Sequence, residues 1–146
     1  MTEVLTRCLG PGDEREVERF ADAFDDPIVP HATRSFLRDG RHHLIVAYVD
    51  GDPAGFVSAV EVLHPDKDGP ELFLNEIGVI DSFRRQGAGT ALLEELKQVG
   101  AERGCRLIWV LTDEGNPAAM AMYAKAGGIW DGGRHVMFDI GIVRET

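Results

Sequence analysis

The chain predicts a mixed α/β domain: a mostly antiparallel sheet with one strand–helix–strand crossover and flanking helices. Three observations carry this. Strand-like runs bounded by turn residues recur at His42–Val49, 54–63 and 71–80, the pattern of an antiparallel meander. The third run leads through a basic glycine-rich connection into Leu92, Leu93, Leu96 and Val99, spaced as one face of a helix. Residues 106–112 are then almost continuously apolar, as in a central strand buried on both faces. At 146 residues, 44% hydrophobic and 27% charged, the chain is expected to build one core and one domain, spanning 1–146.

In order along the chain, Val4–Leu9 alternates as a strand and Gly10-Pro11-Gly12 ends it. Asp13 reads as a helix N-cap with Glu14 and Glu16 in the first turn, and Val17, Phe20, Ala21 and Phe24 fall on one face. Asp25-Asp26-Pro27 breaks that helix, and 32–38 reads as a short second one before Gly40. Asp50-Gly51-Asp52-Pro53 turns one strand of a hairpin into the next. A polar loop, 64–70, precedes strand 71–80, where Gly78 marks a bulge or a close backbone approach. The helix after the glycine loop is expected to run to about Arg103 and stop at Gly104. Gly100 inside it costs about 1 kcal/mol against alanine, which close packing on the sheet accounts for. After 106–112, Asn116 caps a last helix with Pro117 at its first position and Gly127 at its end. Residues 134–140 read as the final strand.

The stretch from Asn75 to Leu93, NEIGVIDSFRRQGAGTALL, carries the chemistry. Arg84, Arg85, Gln86, Gly87, Ala88 and Gly89 connect a strand to a helix that begins near Thr90. The first turn of a helix holds N–H groups without intrahelical partners at the positive end of the dipole, so a phosphate placed there meets donors and a favourable field. Gly87 and Gly89, lacking Cβ, let an anion approach the main chain, and two arginine forks suit phosphate oxygens. A diphosphate fits such a loop. It is neither a dinucleotide fingerprint, which needs glycine where Leu92 stands, nor a P-loop, which needs Gly-Lys-Ser/Thr.

The formal net charge of −10 and an isoelectric point near 4.8 argue against nucleic acid as a partner. A small basic pocket in an acidic protein reconciles with a diphosphate cofactor and a cationic second substrate; surplus carboxylates that only aid solubility are the alternative. The N-terminus reads as lacking a leader and no apolar run is long enough to span a bilayer, so a soluble, cytoplasmic protein is expected. Cys8 and Cys105 are too few for a disulfide framework, and Cys105 has no adjacent base to make it a nucleophile. His42, His43, His64 and His135 lack ligand spacing, so no metal is expected.

Arg84-x-x-Gly87-x-Gly89 after a strand ending at Val79 resembles the acetyl-CoA-binding signature of the GCN5-related N-acetyltransferase (GNAT) superfamily. The resemblance covers nearly the whole chain. It implies the GNAT acyl-CoA N-acyltransferase fold, in which the strand before the loop and the one after the next helix run parallel and splay apart around the pantetheine arm. Here these are 71–80 and 106–112, with Gly78 at the splay. It implies acetyl-CoA as cofactor, held by Ile77, Val79, Arg84, Arg85, Gln86, Gly87, Ala88, Gly89, Thr90, Asn116, Ala119 and Tyr123.

Acetyl transfer from a thioester to an amine needs a held cofactor, a donor to the acyl oxygen, a base and an acid. By resemblance, the Val79 N–H polarises the thioester carbonyl. Tyr123, in NPAAMAMYAKAG, resembles the tyrosine beside the CoA sulfur, and a phenol of pKa about 10 can protonate a thiolate while neutral at pH 7. Glu76 or Asp113 is the candidate base, and Glu114, Asp26 and Asp139 are further candidates for binding a cation. A closer resemblance is to the type I aminoglycoside 3-N-acetyltransferases, through EIGV, FRRQGAGTALL, TDEGNPAAMAMYAKAG and VMFDI. It departs at Gly127-Gly128, where a glycine–aromatic pair is usual, and in the amino-terminal third. The implied acceptor is a polycationic aminoglycoside; a polyamine, an amino acid or a protein N-terminus is the alternative. A non-catalytic acyl-CoA-binding domain is a third reading. Nucleotide-linked redox chemistry with Asp113 on a ribose is disfavoured by Leu92. Relatives commonly dimerise, which adds a homodimer as an option.

Overall fold

The computed structural model describes residues 2–143. Five strands form one sheet in the order β1-β2-β3-β4-β5: β1 (Val4–Leu9), β2 (His42–Val49), β3 (Asp52–Val62), β4 (Glu71–Val79) and β5 (Ile108–Trp109). The first three pairings are antiparallel, as the hairpin and meander demand, and β4 pairs with β5 in parallel. The helices are α1 (Glu14–Glu18), α2 (Pro30–Arg38), α3 (Ala88–Glu102) and α4 (Pro117–Lys125), with single 3₁₀ turns at Ala21–Ala23 and Asp81–Phe83.

Strand alternation divides the core between the two faces of the sheet. Ile45, Val57, Leu72 and Leu74 pack beneath Leu92, Leu93, Leu96 and Val99 of α3. Leu44, Val46 and Phe56 point the other way, against Val17, Phe20 and Leu37. Gly100 sits over the Leu72 side chain, with room for a Cβ only at contact distance, the close packing expected of it. A hydrogen-bonded network around one buried carboxylate pins the far end of α3: Glu61 of β3 accepts from the part-exposed Arg103 Nε at 2.8 Å and lies 2.7 Å from His43 Nε2.

Several expectations are corrected. The helix at Asp13 does not continue to Phe24: α1 stops at Glu18 and a 3₁₀ turn follows, leaving Ala21 exposed while Val17 and Phe20 are buried. Asp13 does not cap it. Its carboxylate reaches backwards, to Arg7 and to the Gly10 N–H, both at 2.8 Å, and closes the Gly10-Pro11-Gly12 turn instead. The second helix starts at Pro30 rather than 32, because proline suits the first helical position. Helix α3 starts at Ala88 rather than Thr90.

Gly78 is a close approach and not a bulge. A Cβ there would lie 2.5 Å from the Ala23 carbonyl oxygen and 3.0 Å from the Phe56 ring. The bulge falls three residues earlier. Ser58 faces Glu76 and Ala59 faces Leu74, so Asn75 is unopposed. The expected strand 106–112 is paired only at Ile108 and Trp109, opposite Leu72 and Phe73. Strands β4 and β5 therefore part after Phe73, before Gly78. Nor is β5 central: it is the sheet's edge, and Leu107, Trp109 and Leu111 are exposed. The expected last strand, 134–140, is neither strand nor helix; Val136, Met137, Phe138 and Ile140 lie in solvent because nothing pairs with them.

Candidate active site

Three pieces of backbone meet where β4 and β5 diverge. The bulge at Asn75 reverses the side-chain parity of β4. Leu72 and Leu74 face α3 before it, and Ile77 and Val79 face α3 after it. Glu76 and Gly78 are consequently placed on the opposite face, with Phe56 and the Ala21–Ala23 turn. The Ile80 N–H donates to the Ala54 carbonyl at 2.8 Å, which makes that pair a hydrogen-bonded one. The neighbouring pair, Val79 and Gly55, is then a non-bonded one, and the Val79 N–H turns away from β3 toward the gap that β5 has left.

At the end of β4 a 3₁₀ turn leads into the arginine–glycine loop. Arg85 (φ 63°) and Gly87 (φ 91°) both adopt left-handed backbone, which costs Arg85 about 1–2 kcal/mol and Gly87 little. Such strain in a loop is typical of functional sites. The first bond of α3 runs from the Ala91 N–H to Gly87, and no side chain caps the helix, so the Ala88, Gly89 and Thr90 amides are free of helical partners. A Cβ on Gly89 would lie 2.6 Å from Met122 Sδ, so glycine lets α4 close over this helix end. The bare N-terminus of a 15-residue helix, without an acidic residue in its first turn, fits a diphosphate. Arg84 adds charge beside it, 3.1 Å from Asp81, with both groups exposed.

These elements line a cleft of about 740 Å³. Of the residues expected from sequence, Glu76, Ile77, Val79, Arg84, Arg85, Gly87, Ala88, Gly89, Thr90, Asn116, Ala119 and Tyr123 line it. Asn116 is placed by its own capping bond, accepting from the Ala119 N–H at 3.1 Å. Tyr123 is half-buried on α4, and desolvation raises its phenol above the usual range, so it is protonated at neutral pH. Gln86 does not line the cleft; its amide donates to the Ser82 carbonyl at 3.2 Å and holds the preceding turn.

Asp113, Glu114, Asp26 and Asp139 do not line it either. Asp113 accepts from the Gly115 N–H at 2.8 Å in the exposed turn before α4. Asp139 lies in the exposed carboxy-terminal segment. On the amino-terminal side, Asp25 rather than Asp26 reaches the cleft, together with Ala23. Asp22 and Asp25 also line an adjoining recess of about 430 Å³ with Gly78, Val79 and Arg84. The helical spacing assumed for 13–24 hid this. Once α1 ends and Phe24 stacks on Phe56 at 4.0 Å, the next residue faces the slot. Asn75, Phe83 and Met122 also line the cleft and carry no sequence signal that marks them.

The chain is 31% identical over 122 residues to the L-2,4-diaminobutyric acid acetyltransferase of Nocardia farcinica (strain IFM 10152), a match covering 82% of this chain and 62% of that protein's length. Among solved structures it resembles the aminoglycoside acetyltransferase HMB0005 from an uncultured soil metagenomic sample, at 25% identity and a TM-score of 0.82, covering 97% of this chain and 99% of the other. The aminoglycoside acetyltransferase AAC(6')-Iy, solved with a bisubstrate analogue built on CoA, shares the fold at 18% identity and a TM-score of 0.78, covering 96% and 99%. The model of the acetyltransferase (GNAT) family matches residues 5–128, which take in the sheet from Leu5 onward, the arginine–glycine loop and α4. With the splayed β4–β5 pair and the bare α3 terminus in place, the chain belongs to the GNAT family of acetyltransferases.

Proposed function

We propose that the chain transfers an acetyl group from acetyl-CoA directly to one amine of a compact polycationic acceptor, an aminoglycoside at its 3-amine, in a ternary complex. GNAT acetyltransferases use acetyl-CoA, which supplies the acyl group as an activated thioester when bound. One observation carries the reading: a single cleft leads from the uncapped α3 terminus past the Val79 amide to a recess bearing Asp22 and Asp25. Anion-binding and cation-binding ends are thereby set on either side of one backbone donor.

Each residue then has a defined task. The amides at the start of α3, with Arg84 and Arg85, bind the diphosphate. The Val79 N–H donates to the acyl oxygen, where charge develops as the amine attacks. Asp22 and Asp25 hold an acceptor ammonium that is not reacting, while Glu76 takes the proton from the amine that is, since only the neutral amine is nucleophilic. Tyr123 holds a proton for the departing sulfur. Its raised pKa keeps that proton in place until a thiolate forms.

A second reading is acetylation of L-2,4-diaminobutyrate or another small diamine. It is favoured by the 31%-identical relative. Thiol release from acetyl-CoA, followed with aminoglycosides, diamines, polyamines and peptides, separates the two. Release with no aminoglycoside sinks the first reading, and release with L-2,4-diaminobutyrate alone establishes the second. NMR of the product reports which amine carries the acetyl group.

A further inference from the structure

Strand β3 holds a glycine among Ala54, Phe56 and Val57, all sealed in the core. Gly55 is buried with them, and it lines neither the cleft nor the adjoining recess. Glycine weakens a strand interior, and Gly55 does not take left-handed backbone, so conformation gives no reason for it here. Space does. A Cβ on Gly55 would lie 2.5 Å from the Gly78 carbonyl oxygen, 3.2 Å from Val79 Cα and 3.3 Å from Val79 Cγ2.

That oxygen belongs to the same peptide unit as the Val79 N–H. In a planar trans peptide the C=O and N–H point in opposite directions, so the placing of one fixes the other. Gly55 and Val79 face each other as a non-bonded pair, with the Ile80 N–H donating to Ala54 at 2.8 Å beside them. The Gly78 carbonyl therefore points into β3 and the Val79 N–H points out toward the cleft. Pushing the oxygen off β3 turns the donor with it. The unit is also held from the other side: a Cβ on Gly78 would lie 2.5 Å from the Ala23 carbonyl oxygen and 3.0 Å from the Phe56 ring. Both closest contacts are to main chain, which cannot swing aside as the end of a long side chain does.

We infer that Gly55 is a positioning residue for acetyl transfer: by lacking a Cβ it lets the Gly78–Val79 peptide lie against β3, and this aims the Val79 N–H at the acyl oxygen. The inference rests on the proposal that Val79 is that donor. Gly55 itself touches neither the cofactor nor the acceptor. Its part differs from that of Gly78, whose bare Cα admits the turn bearing Asp22 and Asp25. A methyl at Gly78 disturbs the acceptor side, whereas a methyl at Gly55 displaces the donor peptide and acts on turnover.

The test is Gly55→Ala in the full-length chain, with valine labelled by ¹⁵N and the Val79 amide followed by NMR. In the wild type the Val79 amide proton should lie further downfield with acetyl-CoA than with CoA, because only the former offers an acyl oxygen. Gly55→Ala should lose that difference and lower kcat about tenfold or more with the most active acceptor, while CoA affinity and acceptor KM stay within about twofold. No difference in the wild type sinks the donor reading and this inference with it. A difference that survives Gly55→Ala, or a kcat within about twofold of wild type, overturns the role of Gly55 and leaves the donor reading standing. A fall in CoA affinity matching the fall in kcat overturns it too, since the damage is then general. Ile45→Val, a core change on β2, should keep both the Val79 signal and kcat; losing them would show that any core change disturbs the donor, against a special role for Gly55. Where Gly55→Ala lacks the native circular dichroism spectrum, it is combined with Val79→Ala, which removes the Cγ2 contact, and alanine is labelled instead. Failure of that variant to fold also overturns the inference, because the glycine then serves the sheet as a whole.

Discussion

The two halves of the molecule are built on different terms. From β1 to α3 every strand is paired along its length, and Ile45, Phe56, Val57, Leu72 and Leu92 are sealed in the core. From β5 onward only two residues are paired, α4 rests on α3 through Met122, Tyr123 and Ala126, and Ile129 to Val143 is open to solvent. The first half holds what the cofactor needs: a rigid helix end, a bulged strand and a backbone donor. The second supplies the tyrosine and the outer wall. Binding and turnover should therefore separate along this boundary, and mutations can test whether they do.

The largest effects are expected at the residues proposed to act on the reacting atoms. Tyr123→Phe should lower kcat about 100-fold or more and leave the dissociation constant of CoA unchanged within twofold if, as proposed, the phenol supplies only a proton. Equal losses in CoA binding would show that α4 serves the donor site as a wall, and the boundary drawn above would fail. Glu76→Gln should cost about 100-fold in kcat, with CoA binding again intact. A kcat within a few-fold of wild type in this variant would move the base elsewhere.

The first half was largely legible in the sequence, and physical reasons explain why. Hairpin turns, alternation and the arginine–glycine loop are local signals, so β1 to β4, the loop and α3 could be read from a few neighbouring residues. Asn116 and Pro117 mark the start of α4 for the same reason. What could not be read depends on distant partners. The turn that aims Asp25 instead of Asp26 at the cleft is set by Phe24 meeting Phe56, 32 positions away in sequence by their numbers. The bulge at Asn75 is a mismatch between two strands, invisible in either alone. An apolar alternation at 134–140 specifies a strand only where an edge receives it, and within one chain none does.

A smaller effect is expected where the amino-terminal turn leans on β4. Gly78→Ala would place a methyl 2.5 Å from the Ala23 carbonyl, and neither backbone can yield without moving the turn that carries Asp22 and Asp25. Overpacking of this kind costs about 1–3 kcal/mol. The acceptor KM should rise several-fold while that for acetyl-CoA changes little, since the α3 terminus is untouched. A rise confined to acetyl-CoA would place the acceptor away from the recess.

The smallest effect concerns the rigidity of the first half rather than its chemistry. Burial alone would raise the Glu61 carboxyl, but hydrogen bonds from Arg103 and His43 together outweigh it and hold the group below its usual range. A carboxyl whose pKa is lowered by folding stabilises the native state at pH above its unfolded value and loses that contribution as pH falls through the folded one. Glu61→Gln should therefore destabilise the protein by about 1–3 kcal/mol at pH 7, measured by urea unfolding. The gap between variant and wild type should narrow below about pH 4.5, where the unfolded carboxyl takes up its proton, and close once the folded one does. A gap that stays constant down to pH 3 would mean that Glu61 acts by packing rather than by charge. Because the network joins β3 to the end of α3 remote from the arginine–glycine loop, KM and kcat should stay within twofold at pH 7, so that stability and catalysis are read separately.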